Sequence, residues 1–178
     1  MKKASFKILL YMFLVVLNSC RNSEKSEQKE SIDLKETLIN ANRIFVESES
    51  DKINSFILRG GYTMDSTTTG LRYQIIQKKL GNRFPDKNDL VEVEFDMQLL
   101  DGTLLYARDS LGTRSFVLGN AGIISGIEEG VKLMQEGDRA IFIVPSHLAF
   151  GFTGDGIRVP PNATLIINLE LKNIIKHK

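Results

Sequence analysis

The sequence is poor in the residues that cross-link proteins or bind metals, with one cysteine, two histidines and no tryptophan among 178 residues. A single cysteine excludes an intrachain disulfide, so the fold must be held together by an apolar core. His147 and His177 have no cysteine or carboxylate at the spacing typical of metal ligands. The sequence therefore predicts no metal site.

An excess of charge of one sign is also lacking. The 23 lysines and arginines nearly balance the 22 aspartates and glutamates, which gives a formal net charge of +1. No basic patch is interleaved with aromatic residues, and we expect no nucleic-acid partner. Gly119, Gly122 and Gly126 lack the Lys-Ser/Thr pair that follows the glycines of a phosphate-binding loop. We therefore predict no cofactor.

No apolar run is long enough to span a membrane. Lys2, Lys3 and Lys7 precede the uninterrupted apolar run Ile8–Leu17. A membrane-spanning helix needs about 20 apolar residues, and this run is much shorter. A basic start followed by a short apolar run is typical of a signal peptide, which we assign to residues 1–19.

The only cysteine, Cys20, follows directly after this segment. The sequence Leu-Asn-Ser-Cys at 17–20 resembles the lipobox of bacterial lipoproteins, which implies that Cys20 is lipidated. The alternative is an ordinary signal peptide with a cysteine behind it by chance. The residues after Cys20 are wholly polar and carry charges of both signs. We therefore predict a disordered, lipidated tether over residues 20–30.

Residues 31–61 have the pattern of an amphipathic helix that ends at two glycines. Apolar residues recur three and four positions apart, at Leu34, Leu38, Ile39, Phe45, Ile53, Phe56 and Ile57. The stripe is broken around 47–51, so one helix with a weak turn and two short helices are both open. This helical appendage could pack on the following domain, pair with a second copy of the chain, or serve as a loose spacer.

From Leu71 onwards, the period of the apolar residues changes to that of strands. We predict strands at 71–77, 90–100, 103–106, 114–118, 139–144 and 164–175. Asp101-Gly102 between the second and third of these is typical of a tight hairpin turn.

One helix interrupts the strands. Ser125 and Glu128 have the spacing of a capping box, and the helix is expected to end at Gly137. The predicted fold of residues 71–175 is therefore α+β, a curved antiparallel sheet of about five strands wrapped on one short helix.

The segments FVLG, IISGIEEGVKLM, EGDRAIFIVPSHLAFG and VPPNATLIINLEL occur in this order between Phe116 and Leu171. In this arrangement, residues 71–175 resemble the core of FKBP-type peptidyl-prolyl isomerases. The resemblance implies an apolar pocket that binds proline and isomerises the X-Pro bond without an acid, a base, a metal or a cofactor.

The resemblance also implies roles for individual residues. Phe95 and Phe150 would be catalytic walls, and the backbone N–H of Ile124 would hold the carbonyl that precedes proline. The implied substrate-binding residues are Leu105, Tyr106, Phe116, Ile123, Ile127, Val159 and Ile167. The alternative for each of them is an ordinary place in the core.

Several of these positions differ from the best-known family members. Those proteins carry a tryptophan under the proline ring, tyrosines at two wall positions and an aspartate at the lip. This chain has Ile127, Phe95, Phe150 and Tyr106 at the matching places. A lost tyrosine hydroxyl removes a hydrogen bond worth about 0.5–1.5 kcal/mol, so we expect slower turnover.

The lipobox, LLYARDSLG, IISGIEEGVKLMQEGD and PSHLAFGFTGDG together are similar to the gliding-motility-associated FKBP-type lipoproteins of Bacteroidota. This resemblance implies an envelope protein, attached to a membrane by its lipid, with proline-containing exported polypeptides as partners. Two alternatives stay open: a non-catalytic chaperone or assembly module that grips partners in the same pocket, and a structural adaptor whose pocket is filled.

Overall fold

The computed structural model describes residues 34–79, 83–120 and 122–177. The predicted signal peptide and tether, with Cys20, lie outside these residues. The chain divides into two units, of which the first ends at Ser48 and the second begins at Glu49.

Helix α1 occupies residues 34–60 without a break, so the alternative of two short helices is wrong. In the first unit its side chains are mostly exposed, and these include the predicted apolar positions Leu34, Leu38 and Ile39. From Glu49 onwards the helix belongs to the second unit and contributes the fully buried side chain of Ile53.

The remaining elements follow in the second unit. The strands are β1 (Asp65–Ser66), β2 (Arg72–Gln77), β3 (Leu90–Leu99), β4 (Leu104–Tyr106), β5 (Arg114–Val117), β6 (Arg139–Val144) and β7 (Leu165–Ile175). The helices are α2 (Arg108–Leu111), α3 (Ser125–Val131) and a 3-10 turn at Ser146–Leu148. The predicted α+β class is confirmed, although β1 and α2 are absent from the sequence-based prediction.

The seven strands form one antiparallel sheet in the order β1-β2-β6-β7-β3-β4, with β5 beside β4 on the same edge of β3. The longest pairing joins β3 and β7, from Leu90 opposite Ile175 to Leu99 opposite Leu165. The predicted hairpin at Asp101-Gly102 is confirmed, since Gly102 N–H donates to Leu99 O at 3.0 Å.

Side chains alternate along β3 as the period of two predicts. Val91, Val93, Phe95 and Met97 point into the main core, while the residues between them are half-buried. The main core also contains Ile127 and Val131 of α3. A second cluster, in which Ile53 of α1 packs with Ile143 and Ile166, uses the alternate residues of β6 and β7.

Helix α3 sits very close to β6 because it has glycine at the contact. A Cβ atom on Gly130 would lie 2.6 Å from the Cζ atom of the buried Phe142 ring. This close approach carries Ile127 and the start of α3 onto the inner face of the sheet, where they form one side of the site described below.

Among the residues that the structure describes, no helix combines the length and the apolarity needed to cross a membrane.

Candidate active site

A cavity of about 850 Å³ opens between the start of α3, strands β3, β4 and β5, and the loop that joins β6 to β7. Apolar groups make up the larger part of its surface. The lining residues are Phe95, Met97, Tyr106, Leu111, Arg114, Ser115, Phe116, Gly122, Ile123, Ile124, Ser125, Ile127, Ala149, Phe150, Asp155 and Ile157.

Most of the residues implied by the family resemblance line this cavity, namely Phe95, Tyr106, Phe116, Ile123, Ile124, Ile127 and Phe150. Leu105, Val159 and Ile167 instead lie in the surrounding core. Ile167 of β7 lies opposite Met97 of β3 in the sheet. Met97 lines the cavity, and Ile167 does not.

The predicted capping box at the start of α3 is wrong. The residue before the helix is Ile124, which makes no side-chain cap, and Ser125 Oγ donates to Leu148 O at 3.1 Å. Glu128 does accept a backbone N–H, but it is that of Gly119, at 3.1 Å. Ser125 therefore joins α3 to the 3-10 turn beside the cavity.

Ile124 has an extended backbone, with φ −60° and ψ 142°. Its carbonyl accepts from Ile127 N–H at 3.1 Å, which starts the helix, and its own N–H has no acceptor among residues 34–79, 83–120 and 122–177. Ile124 thus lines the cavity and carries an amide donor that no described residue uses.

Polar groups at the rim link β4 to the loop between β6 and β7. Tyr106 hydroxyl donates to Asp155 Oδ2, while Asp155 Oδ1 accepts from the N–H groups of Ile157, Arg158 and Val159 at 2.7–2.9 Å. The Arg158 guanidinium donates to Leu105 O at 2.8 Å and lies 5.2 Å from the centre of the Tyr106 ring. The loop is therefore fastened to β4 beside the cavity.

These contacts set the ionisation of both partners. Burial alone would raise the pKa of Asp155, but the hydrogen bond from Tyr106 and those from the backbone outweigh it and hold the pKa well below its usual range. The same hydrogen bond raises the pKa of Tyr106. Asp155 is therefore ionised at neutral pH and acts as an acceptor only.

Asp155 was not among the predicted site residues. The Gly-Asp-Gly sequence at 154–156 was the available signal, because an aspartate between glycines often binds nearby backbone N–H groups in a turn. Arg114, an exposed residue of β5 that also lines the cavity, had no comparable signal.

We expect Tyr106→Phe to lower the free energy of unfolding at neutral pH, since the hydroxyl donates to the ionised Asp155. The lowered pKa of Asp155 means that this contribution is present above the ordinary aspartate pKa and is lost as pH falls towards the folded-state pKa. Urea unfolding at a series of pH values from neutral to strongly acidic measures the loss in stability and its dependence on pH.

Tyr62→Phe is the matched control, since the Tyr62 ring stacks on Phe56 and no described residue hydrogen-bonds its hydroxyl. Its effect should be small and independent of pH. A loss in Tyr106→Phe that stayed constant down to strongly acidic pH would contradict the Tyr106–Asp155 assignment.

The sequence pattern of the FKBP-type peptidyl-prolyl cis-trans isomerase family matches residues 81–172. A probable FKBP-type isomerase, FkpA, of Neisseria meningitidis is 38% identical over 110 residues, which are 61% of this chain and 39% of that protein. The macrophage infectivity potentiator of Trypanosoma cruzi is 30% identical over 176 residues, 97% of this chain and 83% of that protein.

Among solved structures, that of FkpA from Escherichia coli is similar with a TM-score of 0.61 and 25% sequence identity, over 83% of this chain and 71% of that one. This chain thus spans well under half of the Neisseria protein and most of the Trypanosoma protein. The match over residues 81–172 contains the cavity-lining residues from Phe95 to Ile157. The chain belongs to the FKBP-type peptidyl-prolyl cis-trans isomerase family.

Proposed function

We propose that this protein is a lipid-anchored, extracytoplasmic isomerase that catalyses cis/trans isomerisation of X-Pro bonds in exported polypeptides. The observation that carries the proposal is an open, mainly apolar cavity lined by Ile124, whose N–H has no acceptor among the described residues. A cavity filled by its own side chains would instead have favoured a structural adaptor.

The chemistry needs only this surface. Rotation about an X-Pro amide bond faces a barrier of about 18–20 kcal/mol because it disrupts the partial double bond. Water stabilises the planar, charge-separated amide. An apolar cavity removes that water, and contacts that fit the twisted amide better than either planar form lower the barrier. Each gain of about 1.4 kcal/mol in this preference raises the rate tenfold.

The lining residues divide this task. Ile127, fully buried in α3, forms the floor under the proline ring, and the rings of Phe95, Phe116 and Phe150 form the walls. The N–H of Ile124 donates to the carbonyl that precedes proline. No proton moves to or from a side chain, in keeping with a lining whose one carboxylate, Asp155, is held ionised by its hydrogen bonds.

The proposed setting is the cell envelope. It is supported by the signal-peptide pattern of residues 1–19, the lipobox that ends at Cys20 and the polar tether after it. The finer assignment, to the gliding-motility lipoproteins of which GldI is the type, is supported by the sequence segments quoted above. On this assignment the clients are exported motility or secretion components.

A non-catalytic chaperone or assembly module is the second candidate. It is favoured by the exposed apolar side chains of the loop at the cavity, since Phe152 is 71% and Ile157 is 82% exposed. Such side chains can grip unfolded segments without accelerating isomerisation. The two candidates differ in one measurement, because only the enzyme speeds the relaxation of a short X-Pro peptide.

The sharpest test of the enzyme is Ile124→Pro. Proline requires φ near −65°, and the value at Ile124 is −60°, so the substitution removes the N–H donor and matches the φ of this residue. We expect kcat/KM for a short X-Pro peptide to fall about tenfold, the equivalent of about 1.4 kcal/mol. The measurement is the relaxation rate of the peptide after a solvent jump.

Ile124→Val is the control, since it keeps the N–H and shortens the side chain. It should retain kcat/KM within about threefold. Equal activity in the proline and valine variants, both folded by circular dichroism, would contradict the role of this N–H. A wild-type protein that suppresses aggregation of an unfolded client and leaves peptide relaxation unchanged would instead establish the binding module.

A further inference from the structure

A buried carboxylate lies outside the family-matched segment and outside the cavity lining. Glu49 of α1 is 5% exposed, whereas the family pattern begins at residue 81. Among the described residues, no lysine or arginine forms an ion pair with it; its hydrogen-bond donors are hydroxyl and backbone groups. A carboxylate kept out of water in this way needs strong acceptor geometry to be tolerated.

The hydrogen-bond donors to Glu49 come from two residues that are far from it in the sequence, Ser146 and Thr164. The Glu49 oxygens accept from Ser146 N–H at 2.7 Å, from Ser146 Oγ at 3.0 Å and from Thr164 Oγ1 at 2.6 Å. Each of the two oxygens therefore has at least one donor within hydrogen-bond distance. One carboxylate thus holds Ser146 and Thr164 together.

Ser146 and Thr164 are the two ends of the connection between β6 and β7. Strand β6 ends at Val144, two residues before Ser146, and β7 begins at Leu165, directly after Thr164. This β6–β7 connection carries Ala149, Phe150, Asp155 and Ile157 of the cavity lining. Glu49 therefore closes the base of the segment that forms one wall of the cavity.

A short series of hydrogen bonds continues from this base to the wall. Ser146 O accepts from Ala149 N–H at 3.0 Å and from Gly151 N–H at 2.9 Å, the residues on either side of Phe150. Gly151 O in turn accepts from Asn162 N–H at 2.8 Å. The backbone around Phe150 is thus fixed relative to Ser146, and Ser146 is fixed by Glu49.

We propose that Glu49 is a positioning residue for the cavity wall: by joining the two ends of the β6–β7 connection, it sets the place of Phe150. Helix α1 then completes the catalytic domain, and the family-matched segment alone lacks this support. The activity part of this inference rests on the proposed isomerase function. The claim that Glu49 sets the position of Phe150 does not depend on that function, because it concerns only the hydrogen bonds that hold the β6–β7 connection.

The test compares Glu49→Ala and Ile53→Ala in the chain that contains α1. Ile53 lies one turn further along the same helix and packs with Ile143 and Ile166 in the second cluster, away from the cavity lining. Glu49→Ala leaves buried donors unpaired at the base of the wall, whereas Ile53→Ala removes only packing. Both variants destabilise the chain, so stability alone does not distinguish them.

Two readouts do. Below the unfolding transition, we expect kcat/KM for an X-Pro peptide to fall about tenfold in Glu49→Ala and to stay within about twofold in Ile53→Ala. In Glu49→Ala, hydrogen exchange at the Ala149, Gly151 and Asn162 amides should become about tenfold faster than in the wild-type protein, relative to the β3 amides as an internal reference. In Ile53→Ala it should show no such relative increase. Glu49→Gln, which keeps the shape and one acceptor, should recover most of both losses.

Equal activity losses in Glu49→Ala and Ile53→Ala, or unchanged exchange at the three wall amides in Glu49→Ala, would overturn the proposal. If the wild-type protein proves inactive, the proposed function fails, and the exchange measurement still decides whether Glu49 holds the wall.

Discussion

Phe150→Asp should lower kcat/KM for an X-Pro peptide by about 100-fold or more while the chain remains folded. The new carboxylate would face a surface that includes Ile123, Ile124 and Ile127. Proline would then have to displace the water that hydrates this charge. Asp155, already ionised on the same cavity, adds like-charge repulsion. An effect of this size corresponds to about 2.7 kcal/mol of lost transition-state stabilisation.

The fold should tolerate this charge because Phe150 is only half-buried, so the carboxylate can keep part of its hydration. Phe152→Asp is the matched control, since it introduces the same charge two residues away at a side chain that is 71% exposed and outside the lining. It should retain activity within about threefold. Comparable activity in the two variants, at equal thermal stability, would show that catalysis does not use this cavity.

Gly154→Ala is expected to have the second large effect, a loss of about 2–5 kcal/mol in the free energy of unfolding together with most of the activity. Gly154 has φ +68°, and a Cβ atom there would lie 2.1 Å from Val159 O. A backbone oxygen cannot turn away as a side chain can. The loop must therefore shift at Asp155, which carries the link to Tyr106.

Gly156→Ala is a control that distinguishes the steric clash expected in Gly154→Ala from the cost of placing alanine at a positive φ angle. Gly156 has a similar φ of +73°, but no atom lies within 4 Å of the place its Cβ would occupy. Its loss should be limited to the cost of the left-handed backbone, about 1–2 kcal/mol. Thermal unfolding of both variants and peptide relaxation rates provide the comparison, and equal losses would mean that the close approach to Val159 O is not maintained in solution.

Much of the sheet could be predicted from local patterns. Strand β6 has the predicted bounds, Arg139–Val144, and β3 differs by one residue at its end. Strand β3 alternates apolar and polar residues and β6 is a short apolar run, and both patterns can be read from the local sequence without knowledge of the partner strands. The short strand β1 has no such alternation over its two residues and depends on β2.

Elements defined by distant partners could not be predicted. Ser125 had the spacing of a helix cap, yet its hydroxyl binds Leu148 O on the 3-10 turn. Helix α2 begins at Arg108, whose N–H donates to Asp96 Oδ1 on β3 at 2.8 Å. In both cases a tertiary contact decides the local structure, and the local sequence does not specify that contact.

In the candidate site, too, some residues could be predicted from the sequence and others could not. The apolar lining was found through a family resemblance that spans the whole domain, whereas Glu49 and Asp155 were missed. Glu49 contacts Ser146, 97 positions along the chain, and Asp155 contacts Tyr106, 49 positions before it. Polar contacts over such separations leave no periodic trace in the sequence.

The place of β7 has a consequence for the order of folding. Strand β7 lies between β6 and β3 in the sheet, yet it follows both of them in the chain. Because β3 pairs with β7 from Leu90 opposite Ile175 to Leu99 opposite Leu165, the two halves of the sheet cannot join until residues 165–175 are available. A chain truncated before Leu165 should remain unfolded and open to protease, and the addition of residues 165–175 should convert it to a resistant domain in a single step.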